Sequence, residues 1–444
     1  MANTLLEKYE KRIALANEVH KRSHLNESMS QGKSIAIATC LNNVNKFLTE
    51  SFENSVGTQR SNLGAWKKFA LNLTNVALPN LIAFDLVIVQ PMTSYSGFIN
   101  YLEYTYGSNK GNTLGKNPAN EGDNVINNPF RMGKVDVDYT SERVAETVTV
   151  DQNGKATLAW FPVVNTAEVH PELVGAAAGA TITVTDAAKG EVTIANLGDG
   201  VTTAKVRYVY DNIVIPQNDL PILNAQMKMK PLVAKARRIA VYYSQIAAFQ
   251  AKQDYEVDLE AQLAEKAVGE LAYEIDTEIT QLLIDNADSD DDLVWSKTLP
   301  TGVSKAEHYE GFSEIIEEGK QRIYDRTQKF APNYMLIASN VLPILTFMKG
   351  FQAAPVGMYN GPYFAGTLNG IKVFVTPNIE PGKFVLGVNG NDMVSSAAVY
   401  APYMAVVPTQ LLQYADGANT QGWSTLYALE LLNKDLLVAG RVVA

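Results

Sequence analysis

The most regular pattern of apolar positions in the chain runs from Asp258 to Ile284. An apolar residue recurs there at every fourth position, at Leu259, Leu263, Ala267, Leu271, Ile275, Ile279 and Leu283. Because this spacing keeps the side chains in one stripe, it predicts an amphipathic α-helix about 40 Å long. A helix of that length needs other layers to pack against, and we name it the spine helix of the fold.

Weaker patterns precede the spine helix. The first 50 residues combine mixed charge with apolar residues at helical spacing and are predicted to be helical. Residues 51–80 lack periodicity and are typical of an extended arm. Leu81–Pro91 is predicted to be a strand that ends at the proline, and Phe98–Tyr106 is an extended segment rich in tyrosine. Gly107–Asn128 is predicted to be a loop.

Residues 142–215 differ in character, because short alternating or β-branched segments are separated by turns that contain glycine. The predicted strands are Thr147–Val150, Ala156–Phe161, Thr181–Thr185, Glu191–Ala195 and Lys205–Tyr210. This arrangement predicts a small all-β module of the sandwich or barrel type.

The rest of the chain mixes strands and helices. Gln226–Tyr243 is predicted to be one long strand, Gln245–Lys252 a short helix and Ser304–Ile323 a longer one. Strands and helices then alternate through Tyr334–Ala338, Leu342–Lys349, Ile371–Pro377, Lys383–Gly387 and Val399–Val407, and Trp423–Val443 is strand-like. Together these patterns predict an α+β fold divided into several subdomains.

Composition narrows the class of protein. The 444 residues are 46% apolar and 19% charged, as expected for a packed globular protein without long disorder. A net charge of −10 argues against direct binding to nucleic acid. The single Cys40 excludes an internal disulfide, and the longest apolar run, Leu81–Val89, is too short to span a bilayer. The N-terminus carries no secretory signal, so we expect a cytoplasmic product.

Motifs for chemistry are absent or incomplete. Gly32-Lys33-Ser34 ends like a phosphate-binding loop, but Glu27 stands where that motif needs glycine. The four histidines have no zinc spacing. Asp288–Asp292 resembles half of a calcium loop whose glycine and glutamate are missing, so a solvated turn is expected. We therefore expect no enzyme, no cofactor and no metal, with an enzyme of unfamiliar site as the alternative from another class.

Two groups of residues are candidates for contact with other subunits. Glu270, Glu274 and Glu278 lie one helical turn apart, which is either a solvated face or a site for cations of a neighbouring subunit. The candidate cations are Lys67, Lys68, Arg237 and Arg238. A set of tyrosines beside the glycine-rich loop is too small to form a core and is expected to be buried on an adjacent subunit; it comprises Tyr95, Tyr101, Tyr104 and Tyr106.

Five segments resemble, in the same order, the major capsid proteins of T-even-like tailed bacteriophages. The segments are Pro79–Asp85 with Val89–Met92, Glu270–Ile279, Ile337–Val341, Phe364–Gly370 and Tyr400–Tyr403. The resemblance implies the Hong Kong 97-type (HK-97-like) α+β capsid fold. It implies an N-terminal helical segment at 1–50, an N-arm at 51–80, a peripheral-domain strand at 81–95, an E-loop at 96–230 with an all-β insertion domain at 142–215, a peripheral domain with the spine helix at 231–289, an axial domain at 290–395 and a return to the peripheral domain at 396–444.

The function that this resemblance implies is a structural protein of the virion. The chain would form hexamers that tile an icosahedral shell around double-stranded DNA, which it encloses without specific binding. Its expected partners are copies of itself, with vertex, portal, scaffold and decoration proteins, and no membrane. Assembly would occur in the cytoplasm of the host bacterium. The alternative is the vertex paralogue of the same fold, which forms only pentamers.

The resemblance also points to a cleavage site. Phe47-Leu48-Thr49-Glu50 resembles the site where T-even-like maturation proteases remove the N-terminal segment by cutting after glutamate. The position fits, because the predicted helix ends there and accessible arms are readily cut. Leu25-Asn26-Glu27 fits the same short pattern. The alternative is that the chain keeps its N-terminus as an inner lining of the shell.

Overall fold

The computed structural model describes residues 2–23, 28–53, 81–106, 142–174, 179–196, 201–211, 213, 223–256, 259–327, 329–354, 361–409, 412–414 and 417–443. The chain divides into two compact units. Unit 1 comprises Met1–Tyr101, Met229–Asp325 and Phe330–Ala444, and unit 2 comprises Leu102–Lys228 and Arg326–Lys329. The mixed α+β class is confirmed. The predicted arm beyond Glu53, the loop at 107–128 and the side chain of Tyr106 lie outside the described residues.

The helices of the described residues precede or flank the sheets. They are α1 (Ala2–Lys8), α2 (Glu10–Ser23), α3 (Gln31–Glu53), α4 (Ala83–Leu86), α5 (Gln245–Tyr255), α6 (Leu259–Asp285), α7 (Lys305–Glu310), α8 (Phe312–Thr327) and α9 (Leu342–Leu345). The predicted N-terminal helices are confirmed. None of these described helices is long and apolar enough to cross a membrane.

Unit 1 is built on two sheets. The first has the strand order β1 (Ile88–Val89), β17 (Ala398–Pro408), β19 (Ala418–Leu431), β10 (Lys235–Ser244), with β18 (Leu412–Gln413) also paired to β19. The second has the order β11 (Asp288–Ser296), β20 (Leu437–Val443), β16 (Lys383–Gly387), β12 (Tyr334–Ala338), β15 (Ile371–Thr376), β14 (Tyr363–Leu368), β13 (Phe351–Ala353). A separate two-stranded sheet pairs β2 (Ser96–Tyr106) with β9 (Leu223–Val233).

The spine helix is α6, and its predicted bounds are confirmed to within one residue. Its apolar stripe serves two clusters of unit 1. Ile275, Ile279 and Leu283 enter the main core, while Ala267 and Leu271 pack in a smaller cluster with residues of β17 and β19. One periodic stripe therefore carries the packing of both clusters along the helix.

The acidic run after the spine helix was predicted to be a solvated turn, and that prediction is wrong. Asp288–Ser296 forms strand β11, which runs parallel to β20 and has a register shift between Ser289 and Val294. Leu293 and Trp295 of this strand are buried in the main core. Their partner strand lies at the other end of the chain, so no local pattern could show the pairing.

Other predicted elements differ in their bounds. Leu81–Pro91 holds helix α4 and only two strand residues, because a short buried apolar run has no period that separates helix from strand. The long strand Gln226–Tyr243 divides at Ala234 into β9 and β10, which belong to different sheets. The helix predicted at Ser304–Ile323 divides at Gly311 into α7 and α8.

The described residues between 142 and 211 form two three-stranded sheets, and the strand predicted at Ala156–Phe161 is shorter, at Lys155–Thr157. One sheet has the order β3 (Arg143–Thr149), β8 (Thr203–Val209), β5 (Glu172–Leu173), and the other has the order β4 (Lys155–Thr157), β7 (Glu191–Ala195), β6 (Thr181–Asp186). Alternate apolar residues such as Val192, Ile194 and Val206 form the core of this all-β module. Inside this module, the Tyr208 hydroxyl donates to the Glu146 carboxylate at 2.8 Å and accepts from the backbone N–H of Trp160 at 3.0 Å.

Candidate assembly interface

The acidic column of the spine helix lies beside strand β10 of the same chain. The Arg237 guanidinium donates to Glu274 at 2.9 Å through Nη1 and to Glu278 at 2.6 Å through Nη2. Its Nε donates to the Tyr427 hydroxyl at 2.5 Å, and that hydroxyl donates to Glu278. One arginine therefore joins two turns of the helix to two strands of the first sheet.

This network shifts the pKa values of its members in the directions expected for mutual stabilisation. Burial alone would raise the pKa of Glu278, but the hydrogen bonds from Tyr427 and Arg237 outweigh it and lower the pKa. Burial, with the adjacent Glu278 carboxylate, raises the pKa of Tyr427. For Arg237, the effect of burial opposes that of Glu278 and Tyr427, and its pKa is raised. All three groups therefore keep their usual charge states at neutral pH.

The structure thus brings together only some of the predicted residues. Arg237, predicted as a cation for a neighbouring column, is a partner within the same chain, which corrects the intersubunit interpretation for Glu274 and Glu278. Arg238, the next residue on the strand, is exposed. Lys67 and Lys68 lie outside the described residues.

Glu270 stands apart from the network. It is exposed and has no ion pair among the residues that the structure describes. Its side chain lines an open surface pocket of about 430 Å³, together with Tyr273, Ser339, Gly361, Tyr363, Val375 and Pro377. Gly361 has φ +81°, and a Cβ at that position would lie 2.2 Å from the Tyr273 ring. A carboxylate beside two aromatic rings is suited to a cationic side chain.

The tyrosines predicted to contact another subunit differ in their exposure to solvent. Tyr95 and Tyr104 are exposed, by 51% and 47%. Tyr101 is half-buried and packs against a cluster of its own chain that includes Met92, Ile99 and Leu232. The expectation that these rings find no core in their own chain is therefore wrong for Tyr101.

The β2–β9 pair shows a feature that the sequence reasoning missed. Met227 and Met229 of β9 are 70% and 66% exposed, and Phe98 of β2 is 70% exposed. The alternate residues of β9 form ion pairs within the chain, Lys228 with Glu103 and Lys230 with Glu430. Because alternate residues face opposite sides of a strand, β9 turns its methionines outward and its lysines toward ion-pair partners. The alternation Met-Lys-Met-Lys-Pro was visible in the sequence.

Glu50 is exposed and lies inside helix α3, three residues before its end at Glu53. The predicted coincidence of the cleavage site with the end of the helix is therefore wrong by three residues. Within the described residues, no group of three or more His, Cys, Asp or Glu side chains is arranged to hold a metal ion.

Comparison with protein families decides to which class this protein belongs. The family model "Major capsid protein Gp23" matches residues 63–439, which is most of the chain. The chain belongs to this family. It is a major capsid protein of a tailed-phage head shell, a structural component of the virion capsid and not an enzyme. The predicted resemblance to T-even-like capsid proteins is confirmed.

Relatives of known identity agree with the family. The chain is 24% identical over 405 residues to the major capsid protein of Enterobacteria phage T4, covering 81% of this chain and 74% of that protein. It is 22% identical over 404 residues to the major capsid protein of Vibrio phage KVP40, covering 81% and 75%. Both similarities extend over most of each protein.

Solved structures that resemble this chain include the capsid of Myoviridae phage XM1, with a TM-score of 0.36 and 9% identity over 52% of this chain and 81% of that one. Another is the holo-SrpI encapsulin complex of Synechococcus elongatus, with a TM-score of 0.33 and 12% identity over 49% and 77%. At such TM-scores neither likeness decides the assignment.

Proposed function

We propose that this capsid protein adopts the Hong Kong 97-type tile and forms hexamers that build an icosahedral shell around double-stranded DNA. The observation that carries the proposal is the outward-facing apolar side of the β2–β9 pair. Strand β9 exposes Met227 and Met229, while its lysines form ion pairs within the chain. The exposed methionines therefore need an apolar surface of another molecule to cover them. In a shell of identical subunits, that partner is an adjacent copy.

The proposed division of the tile follows the resemblance. Residues 51–80 act as the N-arm, 96–230 as the E-loop with the insertion domain at 142–215, and 290–395 as the axial domain. Residues 81–95, 231–289 and 396–444 make up the peripheral domain. The separate core of the all-β module is consistent with an insertion that folds on its own residues.

Glu270 is the proposed contact for a cation of the adjacent copy. Within the acidic column, Glu274 and Glu278 already share Arg237, whereas Glu270 faces an open pocket with aromatic walls. Lys67, Lys68 and the exposed Arg238 are the proposed sources of the cation. Tyr95 and Tyr104 are proposed to contact the same neighbour as the β2–β9 pair.

The acidic character of the chain supports a shell wall that encloses DNA without binding it tightly, because a net charge of −10 repels the phosphate backbone. Vertex, portal, scaffold and decoration proteins are the further proposed partners, met during assembly in the host cytoplasm. The second candidate, a pentameric vertex paralogue, has in its favour only the shared fold.

Electron microscopy of the purified protein tests this proposal. We expect hexamers or closed shells from the natural sequence, whereas isolated pentamers would support the vertex paralogue. The double variant Met227→Ser/Met229→Ser should remain a folded monomer, because it removes the apolar face without touching a core. Leu15→Ser is the matched control, since Leu15 is an exposed apolar residue of helix α2 and belongs to neither strand of this pair. Normal shells from the double variant would refute the role of the β2–β9 pair.

A further inference from the structure

Glu270 and Arg238 are exposed residues of opposite charge in unit 1, and neither forms an ion pair among the residues that the structure describes. We propose that the Arg238 guanidinium of one copy enters the Glu270 pocket of the adjacent copy, so that one directional arginine contact repeats around the capsomer. The inference rests on the proposed function, because it needs a second copy beside the first. It selects Arg238 over Lys67 and Lys68 as the cation.

Strand β10 turns Arg238 away from the spine helix of its own chain. The preceding Arg237 binds two carboxylates of α6, and the following Ile239 packs in the apolar cluster of the same helix. Because alternate residues of a strand face opposite sides of the sheet, Arg238 lies on the side that α6 does not cover. The sheet therefore separates Arg238 from Glu270 of the same chain, and a pair between these residues has to join two copies.

The surroundings of Arg238 leave its guanidinium clear of other side chains. The neighbours on the same face of β10 are the small residues Ala236 and Ala240, and the register partner on β19 is Ser424. A long side chain between such small residues projects beyond them. Its charged end is therefore placed to reach a neighbouring molecule.

Position in the sheet favours Arg238 over the other available arginine. Among the arginines whose side chains the structure describes, only Arg238 and Arg441 lack a hydrogen bond or ion pair through the side chain. Of the described strands, β10 is the last at one end of the first sheet, whereas β20, which carries Arg441, lies between β11 and β16. Tiles of a shell meet at their margins, so the arginine on the edge strand is the one that faces a neighbour.

The chemistry of the Glu270 pocket suits a guanidinium. Tyr273 and Tyr363 line the pocket together with the Glu270 carboxylate and the hydroxyl group of Ser339. A planar guanidinium stacks on aromatic rings and donates two parallel hydrogen bonds to a carboxylate, whereas an ammonium group is a point charge without a plane. The Ser339 hydroxyl is an acceptor for a further N–H. The pocket therefore favours arginine over lysine.

One wall of the pocket is already in position without a partner. The Tyr273 ring lies directly against the backbone of Gly361, where a Cβ would be 2.2 Å from the ring. A wall that is held in place lowers the conformational cost of binding.

The two halves of the contact give it a direction. Each copy would give Arg238 to one neighbour and receive an arginine in its Glu270 pocket from the other neighbour. This is a heterologous, head-to-tail contact, which closes into a ring when the rotation between copies allows it. A hexamer would therefore contain one such contact per subunit.

Charge reversal in the purified full-length protein tests the contact, with assembly followed by light scattering and electron microscopy. Glu270→Arg and Arg238→Glu each bring like charges together, and each should raise the protein concentration needed for assembly by about tenfold or more. The double variant Glu270→Arg/Arg238→Glu restores opposite charges and should assemble at nearly the natural concentration. Arg238→Lys keeps the charge without the planar fork and should give an intermediate value.

Two exposed residues supply matched controls. Glu265→Arg makes the same charge change on the spine helix, and Arg441→Glu makes it on β20, and both should assemble like the natural protein. All of these positions are exposed, so the urea midpoints of unassembled protein should be unchanged.

Neutral variants give a second test that does not depend on repulsion. Glu270→Gln and Arg238→Gln should each weaken assembly, and the double neutral variant should lose no more than either single variant, because the two residues form one contact. Fully additive losses would contradict the pairing.

Three results would overturn the inference while natural shells leave the proposed function in place. Normal assembly of both single reversals would show that neither residue lies at a contact. Failure of the double reversal beside normal controls would show that the two residues meet different partners. Assembly by Arg238→Glu but not by Glu270→Arg would assign the pocket to Lys67 or Lys68. If the natural protein itself forms no shells or hexamers, the proposed function fails and this contact fails with it.

Discussion

Strands β12 and β9 differ in what covers their apolar side chains. All five residues of β12 are buried, and the strand is hydrogen-bonded to β15 on one side and to β16 on the other. Strand β9 pairs with β2, and its methionines face solvent. The first strand completes its environment within one chain, whereas the second leaves apolar surface for another molecule. Apolar content alone therefore does not define the core of a protein built for assembly.

The largest expected effect on stability comes from replacing phenylalanine by alanine next to β12, and the same replacement next to β9 should have almost none. Phe384→Ala in β16 should lower the free energy of unfolding by about 3–5 kcal/mol, because the ring is fully buried and packs edge-on against Phe312 at 5.4 Å. Phe98→Ala in β2 should change it by less than about 0.5 kcal/mol. Urea unfolding of unassembled protein measures both values. A large loss for Phe98→Ala would mean that the β2–β9 pair is completed within the chain.

The next largest effect on stability is expected at Asp276, whose carboxyl group is buried. Asp276 of the spine helix accepts hydrogen bonds from the backbone N–H groups of Ile82 and Ala83, with Ile82 at 3.1 Å, at the start of α4. Burial, only partly offset by these bonds, raises its pKa well above the ordinary value. Since the folded state then binds a proton more tightly than the unfolded state, stability falls as pH rises from the ordinary pKa toward the raised one.

Two substitutions at Asp276 test this interpretation. Asp276→Asn keeps an acceptor oxygen without the charge, so it should remove this fall in stability and raise stability at neutral pH. Asp276→Leu leaves the two N–H groups without their acceptor and should cost about 1–3 kcal/mol at a pH where Asp276 is protonated. Unfolding free energies measured across the pH range give both results. An unchanged pH dependence in Asp276→Asn would contradict the buried, protonated state.

The smallest expected effect lies at the half-exposed edge of unit 1. Arg237→Gln should cost about 1 kcal/mol at low salt, because solvent screens an ion pair whose groups are each about one-third or more exposed. The folded-state pKa of Glu278 is depressed, so its contribution is present above the ordinary pKa and is lost as pH falls through the depressed one. Arg238→Gln, on the adjacent exposed residue, should have no measurable effect.

Salt and assembly assays distinguish this intrachain pair from an intersubunit contact. If Arg237→Gln left the unfolding free energy unchanged but abolished shells, the arginine would serve a neighbour instead of its own helix. The expected result is the reverse, with a loss of stability that decreases as salt rises.

Features that depend on nearby residues could be predicted from the sequence. The spine helix follows from a period-four stripe, and the all-β module follows from short strands such as β6 and β7 that pair across a tight turn. The family resemblance likewise rests on short contiguous segments such as Glu270–Ile279. Each of these depends on residues that are close in sequence, so the pattern already contains the relevant contacts.

Only the tertiary structure decided what covers each apolar or charged face. Strand β11 is held by β20 from the far end of the chain. Arg237 binds two carboxylates that the sequence had left either to solvent or to a neighbouring subunit. Helix α3 proved to be part of the core, while the methionines of β9 proved to be exposed. Periodicity shows that a face is apolar, but burial depends on which distant segment packs against it, and that information is not local.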